Sequence, residues 1–439
     1  MLDLQKIEVP RYEQGAIGMP AVCVPFTNSE RKTAWCPHRW LLKNSTANLD
    51  EPSRALARGR ALHAGLEAMF RYFQLSNGMT LPAAEWDSTC PLCLLHGTAN
   101  PTCSVCQGTQ MGIVGTAMWA AFGEASISED EKELEGIRRS LHGYVARWGI
   151  WPLGSWRVVG VEQAFAAPIR DQDDCMFTTE IPLVKIDDFW TMCTAPDQDV
   201  VYVRMPWYQL GRLDVVLQHS DHGSLLVHEF KTSVTPSSFS RDLAVDTQMP
   251  GYMSLLSHHA HRYGASRVSG YQYDVLTSKG WARPRVLKSG KFSTAAKTQA
   301  NVPSWAWHDA LTDEQRKKHT DREWELLQEM RRASPAQVDD RLYCREFGTF
   351  NDAEMRRYRA ELYADARMFA AWRSYLPQRL FAHELASRFP RRAVCRIRGH
   401  SCDFIGSCIR GDADSRMQSV SGIKWFEAKQ EEEKIECPF

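Results

Sequence analysis

The sequence lacks an excess of charge of either sign and lacks a long apolar run. Its 53 Lys and Arg balance 53 Asp and Glu, so contact with a polyanion must come from local patches. No run is long enough to cross a bilayer, and the acid-containing start is unlike a signal peptide or a membrane anchor. We therefore expect no membrane partner and a cytoplasmic location, in a bacterium or in a virus-infected cell.

Internal repeats and low-complexity linkers are also missing from the chain. The 439 residues could hold two or three domains, and 44% hydrophobic residues with 15 Trp are ample for a packed core. These observations exclude repeat architectures and indicate a globular protein of enzyme size, built as one core with elaborations.

Hydrophobic periodicity predicts an α/β organisation. Helices are predicted at residues 32–75, 129–148, 242–263, 312–332 and 352–375. Strands are predicted at residues 156–166, 180–188, 199–204, 210–218, 224–232 and 268–276. Pro250 lies inside the third helix, where it should kink the helix or set a new first turn.

Two acids and a lysine lie on adjacent predicted strands, within Gly-Arg-Leu-Asp at 211–214 and Val-His-Glu-Phe-Lys-Thr at 227–232. Side chains alternate along a strand, so Asp214 should point away from the apolar side while Glu229 and Lys231 share a face. A turn centred on Asp221 and His222 would place the two acids directly opposite each other. A slip of one or two residues would make them diagonal neighbours, still within reach of one cation.

This cluster has a clear chemical use. Two carboxylates, a backbone carbonyl such as that of Phe230 and several waters suit Mg²⁺ or Mn²⁺, which prefer oxygen ligands. Beside such a cation, the Lys231 ammonium can orient an attacking water or offset charge on a phosphate. These residues fit phosphodiester hydrolysis, and the alternative is a surface hairpin with an ordinary Glu and Lys.

The order of motifs resembles the PD-(D/E)XK superfamily and, within it, the RecB-like exonucleases: a helical His, G-x-x-D, E-x-K, then Q-x-x-x-Y. The resemblance implies a restriction-endonuclease-like core, with a mixed central sheet flanked by helices. It assigns six residues to the active site: His63, Asp214, Glu229, Lys231, Gln248 and Tyr252. The first three would hold the metal together with the Phe230 carbonyl, and Lys231 would be catalytic. The spacing of four puts Gln248 and Tyr252 on one helix face.

Two assignments, one of them for a further residue, are weaker. His63 lies in a helix-forming run, where a lone His is more often structural, but its place upstream of the acids favours a ligand. Glu162 resembles the acid on the first core strand of the family. We interpret Glu162 as a residue behind the metal ligands, since an acid at a strand start is usually just solvated.

Four cysteines flank the predicted core, one before it and three after it: Cys36, Cys395, Cys402 and Cys408. This arrangement resembles the iron-sulfur staple of AddB-type helicase-nucleases and CRISPR-adaptation nucleases, and implies a [4Fe-4S] cluster in a C-terminal cap. The interval from Cys395 to Cys402 is longer than the C-x2-C of those helicase-nucleases. The alternative is a set of buried free thiols.

A separate group forms two C-x2-C knuckles: Cys90, Cys93, Cys103 and Cys106. Each knuckle presents two thiolates, so the pair fills the four positions of a tetrahedral Zn²⁺ and indicates a structural zinc-knuckle insert. Iron in a rubredoxin-like site is the alternative. The remaining cysteines have no ligand spacing and are interpreted as ordinary residues: Cys23, Cys175, Cys193, Cys344 and Cys437.

Two groups of arginines could contact phosphates, although charge runs are more often solvated faces. The first group is Arg54, Arg58 and Arg60, and the second is Arg388, Arg391, Arg392, Arg396 and Arg398. The charged helix predicted at 312–332 could be an arm over a DNA channel or a solvated support.

The sequence therefore predicts a metal-dependent RecB-like DNA exonuclease acting on ends or single strands in recombination, repair or phage DNA processing. A helicase, recombinase or annealing protein is the expected partner. The alternatives are a CRISPR-adaptation nuclease that trims DNA, a non-cleaving DNA-binding subunit and a structural protein. The predicted parts are an N-terminal helical segment, the zinc insert, the core, a helical insertion and the C-terminal cap: 1–77, 78–115, 116–285, 286–345 and 346–439.

Overall fold

A computed structural model describes the following parts of the chain: 16–20, 22–31, 46–47, 54–75, 117, 120–121, 131–148, 154–186, 189–192, 200–233, 236–239, 247–278, 341–375, 396–397, 400–401 and 418–419. Its four long helices are α1 (Arg54–Leu75), α2 (Glu131–Trp148), α3 (Gln248–His259) and α4 (Asp352–Tyr375). Its main strands are β1 (Val24–Thr27), β2 (Trp156–Pro168), β3 (Thr178–Ile186), β4 (Phe189–Met192), β5 (Val200–His219), β6 (Leu225–Ser233), β7 (Val268–Thr277) and β8 (Tyr343–Gly348). Single turns of helix are Asn28–Arg31, Pro236–Ser238 and Ala260–Tyr263.

These eight strands form one mixed sheet. The order along it is β4, β3, β5, β6, β7, β8, and both β1 and β2 also pair with β5. β6 and β7 are parallel and α3 lies between them in the chain, because parallel neighbours need a crossover connection. Two-residue strands elsewhere pair Thr46–Ala47 with Gln418–Ser419 and Arg396–Ile397 with His400–Ser401. The predicted mixed sheet flanked by helices is confirmed.

Helices cover both faces of this sheet. Alternate residues of β6 show it: Leu226 and Phe230 pack with α1 and α2, while Leu225 and Val227 pack with α3. α1 buries a stripe at helical spacing, as an amphipathic helix should: Ala61, Leu62, Leu66, Met69, Phe70 and Phe73. Around β6 the sheet is therefore a middle layer, and apolar side chains on either face are taken out of water.

β5 is a single strand of 20 residues, although the sequence predicts two strands with a break between them. Pro206 lies inside β5, although proline cannot donate a hydrogen bond to a strand ladder. In β5 the Trp207 N–H donates to the Phe177 carbonyl at 2.9 Å, so the nitrogen of the preceding Pro206 faces the other edge. β1 pairs with that edge from Trp207 onward only, so the missing N–H costs no ladder bond.

Several predicted elements need correction. The helix predicted at 32–75 is helical over Arg54–Leu75, and Thr46–Ala47 is a strand instead. β1, β4 and β8 are not predicted by the sequence pattern at all. Among the described helices none is long and apolar enough to cross a membrane. The helix predicted at 312–332 lies outside the described residues, and the domain boundaries stay predictions.

Candidate metal centre

The site lies where β5 and β6 separate. The ladder between them runs from the pair Gln218 and Leu225 to the pair Val215 and His228. Continuing this register by one position places Asp214 opposite Glu229, as predicted for a turn centred on Asp221 and His222. On the same edge of β5, β1 pairs with 207–210, so among the described strands none pairs with 211–214 there.

At this fork, side chains provide hydrogen-bond partners for the backbone groups of Phe230. The Phe230 N–H donates to Asp214 Oδ2 at 2.8 Å, and the Phe230 carbonyl oxygen lies 3.1 Å from His63 Nε2. In a strand the N–H and C=O of one residue point to the same side, so both groups of Phe230 face the opening. His63 comes from α1 and Asp214 from β5, so the fork brings a helix and two strands to one point.

Three potential metal ligands converge here. One ligand atom from each of His63, Glu162 and Asp214 lies within 4.8 Å of the others. The sequence predicts Glu162 as a residue behind the ligands, whereas the structure brings its carboxylate into this group. Glu162 has a φ of +48°, beside a register shift between Val158 and Gly160. Such irregularities re-aim a side chain relative to a regular strand.

Glu229 lies beside this group and its charge acts on all three residues, but its oxygens are not part of the set within 4.8 Å. It is only 1% exposed. Its Oε1 accepts hydrogen bonds from the Lys231 ammonium and, at 2.8 Å, from Gln248 Nε2. Its Oε2 is buried and has no hydrogen-bond partner among the described residues, a costly arrangement that a cation would satisfy. We refer to His63, Glu162, Asp214 and Glu229 as the ligand cluster.

α3 supports this cluster. Gln248 Nε2 also donates to the Tyr252 hydroxyl oxygen at 2.7 Å, so the two residues share a helix face directed at Glu229. Pro250 lies in the first turn of α3, where an N–H has no helical partner, and so begins the helix without breaking it. This confirms one of the two outcomes predicted for Pro250.

Close packing explains the glycine of the Gly-Arg-Leu-Asp motif. A Cβ on Gly211 would lie 2.7 Å from Leu255 Cδ1 and 3.0 Å from Tyr252 Cε1. Only glycine lets α3 approach β5 this closely. The same approach carries Tyr252 and Gln248 to the fork.

Electrostatics favour a cation at this point. Burial and, second, the charge of nearby Glu229 raise the pKa of Asp214 well above its ordinary value. The positive charge of Lys231 lowers this pKa but does not outweigh them. Burial, followed by the charge of Glu67, raises the pKa of Glu162 to about 7. Burial lowers the pKa of His63, which keeps the imidazole neutral as a metal ligand requires. The donor set therefore fits a divalent cation, whose charge would offset the crowded carboxylates.

The structure overturns one prediction about this hairpin. Asp214 was expected to point away from the apolar side of its strand, but both faces of β5 are covered here. Val216, which shares the strand face of Asp214, packs in the α3 cluster, and Val215 packs in the cluster with α1 and α2. Asp214 is therefore buried between helices, and its burial comes from tertiary packing that strand alternation does not encode.

A buried polar network lies on the opposite face of β6 from Glu229. This network is not among the predictions made from the sequence. Asp274 Oδ2 lies 2.9 Å from His228 Nε2 and accepts a hydrogen bond from the Tyr144 hydroxyl at 2.6 Å. Arg345 donates to both oxygens of Asp274, at 2.6 and 2.7 Å. An acid inside the apolar strand Tyr-Asp-Val was a signal that a buried partner had to exist.

The cofactor cysteines fall outside the described residues. This holds for the predicted iron-sulfur ligands Cys36, Cys395, Cys402 and Cys408, and for the predicted zinc ligands Cys90, Cys93, Cys103 and Cys106. Both assignments stay predictions. The described cysteines are free thiols: Cys23, Cys175 and Cys344.

The arginine patches are only partly described. Arg58 donates to the Ser278 carbonyl at 3.0 Å, and Arg60 is exposed on α1. Arg396 belongs to a two-residue strand, and the side chains of the remaining patch residues lie outside the described part. Contact of these patches with DNA stays a prediction.

The forked hairpin, the ligand cluster and α3 define an α/β protein with a carboxylate-rich candidate metal site beside a lysine. A family model described as the PD-(D/E)XK nuclease superfamily matches residues 31–409, which is most of the chain. The chain therefore belongs to the PD-(D/E)XK nuclease superfamily, whose members use divalent metals such as Mg²⁺. A comparison with curated proteins gave no match.

Proposed function

We propose that the protein is a DNA exonuclease of the RecB-like type, which hydrolyses phosphodiester bonds with Mg²⁺ or Mn²⁺. Its proposed substrates are DNA ends or single strands in recombination, repair or phage DNA processing. The observation that carries the proposal is the convergence of three acids, a histidine and a lysine at one strand fork. A non-cleaving DNA-binding subunit would have no need of this complete set.

The ligand cluster is where the proposed metal would be held. The oxygens available are those of Glu162 and Asp214, the buried Oε2 of Glu229 and the Phe230 carbonyl, with His63 Nε2 as the nitrogen donor. A bound divalent ion would supply Lewis-acid activation of water and of the phosphate. Burial of the acids keeps competing water away and strengthens their interaction with any cation.

The position of Lys231 suits electrostatic catalysis by its ammonium group. Its ammonium contacts Glu229 and its side chain is 24% exposed, so it reaches both the cluster and solvent. In the proposed reaction it orients the attacking water and offsets charge developing on the phosphate. Gln248 holds Glu229 and Tyr252 in place, which makes it a positioning residue.

Lys231→Ala is expected to reduce cleavage by about 10²- to 10³-fold, because the charge it offsets develops in the transition state. Gln248→Ala should have a milder effect, about tenfold, because it removes positioning and no ligand. The measurement uses end-labelled linear DNA and circular DNA with Mg²⁺, Mn²⁺ or a chelator. Loss of linear DNA alone would support exonuclease action, and cleavage of circles would indicate an endonuclease.

Three outcomes would contradict these proposals. Full cleavage by a folded Lys231→Ala protein would remove Lys231 from the mechanism. Cleavage that persists in chelator would overturn the metal requirement. Binding of DNA without any cleavage by the wild type would favour the non-cleaving subunit.

The cysteine pattern supports two further metal centres, a [4Fe-4S] staple and a structural zinc knuckle. Anaerobically purified protein is expected to be brown, with about four iron and about one zinc per chain. Cys36→Ser should bleach the colour and destabilise the protein, because the staple would tie two distant segments together. Cys90→Ser should release zinc and leave the colour intact.

Metal analysis of the two variants separates these assignments. If Cys36→Ser keeps its iron while Cys90→Ser turns colourless, the two sites are assigned the wrong way round. If anaerobic protein contains neither metal, both assignments fail.

A further inference from the structure

A cleft of about 400 Å³ lies beside the ligand cluster. Its walls come from α1, β2 and β5, and its polar lining includes Arg71, Gln74, Glu162, Gln163 and Arg212. Glu162 belongs both to this lining and to the group of potential metal ligands. The cleft is therefore adjacent to the place where the proposed reaction occurs.

Two guanidinium groups dominate the charge of the cleft. The side chains of Arg71 and Arg212 are each 53% exposed, so both guanidinium groups are accessible to a molecule bound in the cleft. Arg71 Nε and Nη2 donate to Glu67 at 2.8 and 2.6 Å, which orients the guanidinium. Arg212 Nη1 lies 4.0 Å from Glu162 Oε2. A guanidinium carries five N–H donors in a planar fork and stays charged, which suits contact with a phosphate.

The irregular backbone of β2 explains how one strand contributes side chains to both the cleft and the ligand cluster. The left-handed backbone at Glu162 and the register shift beside Gly160 interrupt the regular alternation of β2. Gln163 lines the cleft, and its Oε1 accepts a hydrogen bond from the Tyr263 hydroxyl at 2.6 Å. A strained non-glycine residue persists only where its surroundings hold it, and such strain is concentrated at functional sites.

We infer that this cleft is a phosphate-binding subsite for one unpaired nucleotide next to the scissile bond, with Arg71 and Arg212 as its phosphate contacts. The inference rests on the proposed nuclease function and names the form of its substrate. The volume of about 400 Å³ is near the lower end of the roughly 300–1,000 Å³ of small-ligand pockets, which suits one nucleotide. Arginine suits this role because its fork matches phosphate geometry and stays charged.

The test measures binding of a fluorescein-labelled single-stranded 8-mer to the full chain by anisotropy in chelator, over a range of salt. Arg71→Gln and Arg212→Gln are each expected to weaken binding about five- to tenfold. The double variant should also lower the salt slope, log Kd against log salt, by about 1.4, since each phosphate contact on a single strand contributes about 0.7. Arginine-to-lysine variants should retain most of the slope because they keep the charge.

Arg138→Gln is the matched control. Arg138 is 50% exposed on α2 and forms the same kind of helical ion pair, with Glu135 at 2.7 and 3.0 Å, but it does not line the cleft. Its removal should leave affinity and salt slope unchanged. If the double variant matches the wild type in both quantities, or if Arg138→Gln loses as much affinity, the subsite is overturned.

Cleavage kinetics distinguish failure of the subsite from failure of the proposed function. With single-stranded substrate and Mg²⁺, the cleft variants should raise KM and change kcat by less than about threefold, the signature of lost uniform binding. If the wild type cleaves DNA and both variants keep the wild-type KM and affinity, only the subsite proposal is overturned. A wild type that binds the strand through both arginines but cleaves nothing would overturn the nuclease proposal and leave the nucleotide site standing.

Discussion

Asp214→Asn is expected to lower cleavage by at least about 10³-fold while the protein folds normally. Loss of one metal ligand removes several kcal/mol of transition-state stabilisation, and each 1.36 kcal/mol corresponds to a factor of ten. Asparagine keeps an oxygen that can accept the Phe230 N–H, which Asp214 accepts at 2.8 Å. The substitution therefore removes a charge and leaves the hydrogen bond at the strand fork.

The same variant should melt at a higher temperature than the wild type when both are free of metal. Burial and the charge of Glu229 raise the pKa of Asp214, so its contribution to stability is full below the unfolded pKa near 3.9. That contribution is lost as pH rises toward the folded pKa. The difference in melting temperature should therefore grow from pH 4 to pH 8 and shrink when Mg²⁺ is added.

Asp221→Asn is the control for Asp214→Asn, because Asp221 is an exposed acid in the turn of the same hairpin. It should change neither cleavage nor melting temperature. Cleavage by Asp214→Asn within about tenfold of the wild type would remove Asp214 from the metal site. A large loss of stability would instead assign it a structural role.

The second large effect concerns the buried network on the other face of β6. Asp274→Ala is expected to lower the free energy of unfolding by about 3–5 kcal/mol, because it leaves His228 and Arg345 facing a buried gap without their counter-charge. Both partners lie within hydrogen-bond distance of its carboxylate, and Asp274 is fully buried. Chemical denaturation followed by circular dichroism measures the loss.

The contribution of Asp274 to the free energy of unfolding depends on pH with the opposite sign to that of Asp214. Burial alone would raise the pKa of Asp274, but the charge of His228 and the hydrogen bonds from His228 and Arg345 hold it below its ordinary value. The contribution is therefore present above the unfolded pKa near 3.9 and is lost as pH falls through the folded pKa. The gap between wild type and Asp274→Ala should narrow below about pH 4.

Glu361→Ala on α4 is the control, since Glu361 forms an exposed pair with Arg357 at 3.6 Å. Exposed pairs contribute about 0–1 kcal/mol, so this variant should be close to the wild type. An Asp274→Ala protein that loses less than about 1 kcal/mol would show that the network is not a stabilising element.

The hairpin and its motif were predictable because their signals are local. Strand alternation and the turn formers around Asp221 set the register that brings Asp214 opposite Glu229. The spacing of Gln248 and Tyr252 places both on one face of α3, and Pro250 marks its first turn. Each of these inferences needs only residues within a single hairpin or a single turn of helix.

Other parts of the site depend on packing between distant segments. The place of Glu162 follows from a left-handed backbone and a register shift in β2, and neither has a local sequence signature. The network of His228, Asp274 and Arg345 joins three strands, and the last two residues are 71 positions apart in the sequence. The burial of Asp214 requires knowledge that helices cover both faces of β5.

Titration of Mn²⁺ into the metal-free protein, followed calorimetrically, tests most directly whether the ligand cluster is a metal site. The wild type is expected to bind about one Mn²⁺ at this site, in competition with Mg²⁺. Asp214→Asn should abolish that binding, Glu162→Gln should weaken it, and Asp221→Asn should leave it unchanged. Equal Mn²⁺ binding by the wild type and Asp214→Asn, or no binding by either, would contradict the assignment of the ligand cluster as a metal centre.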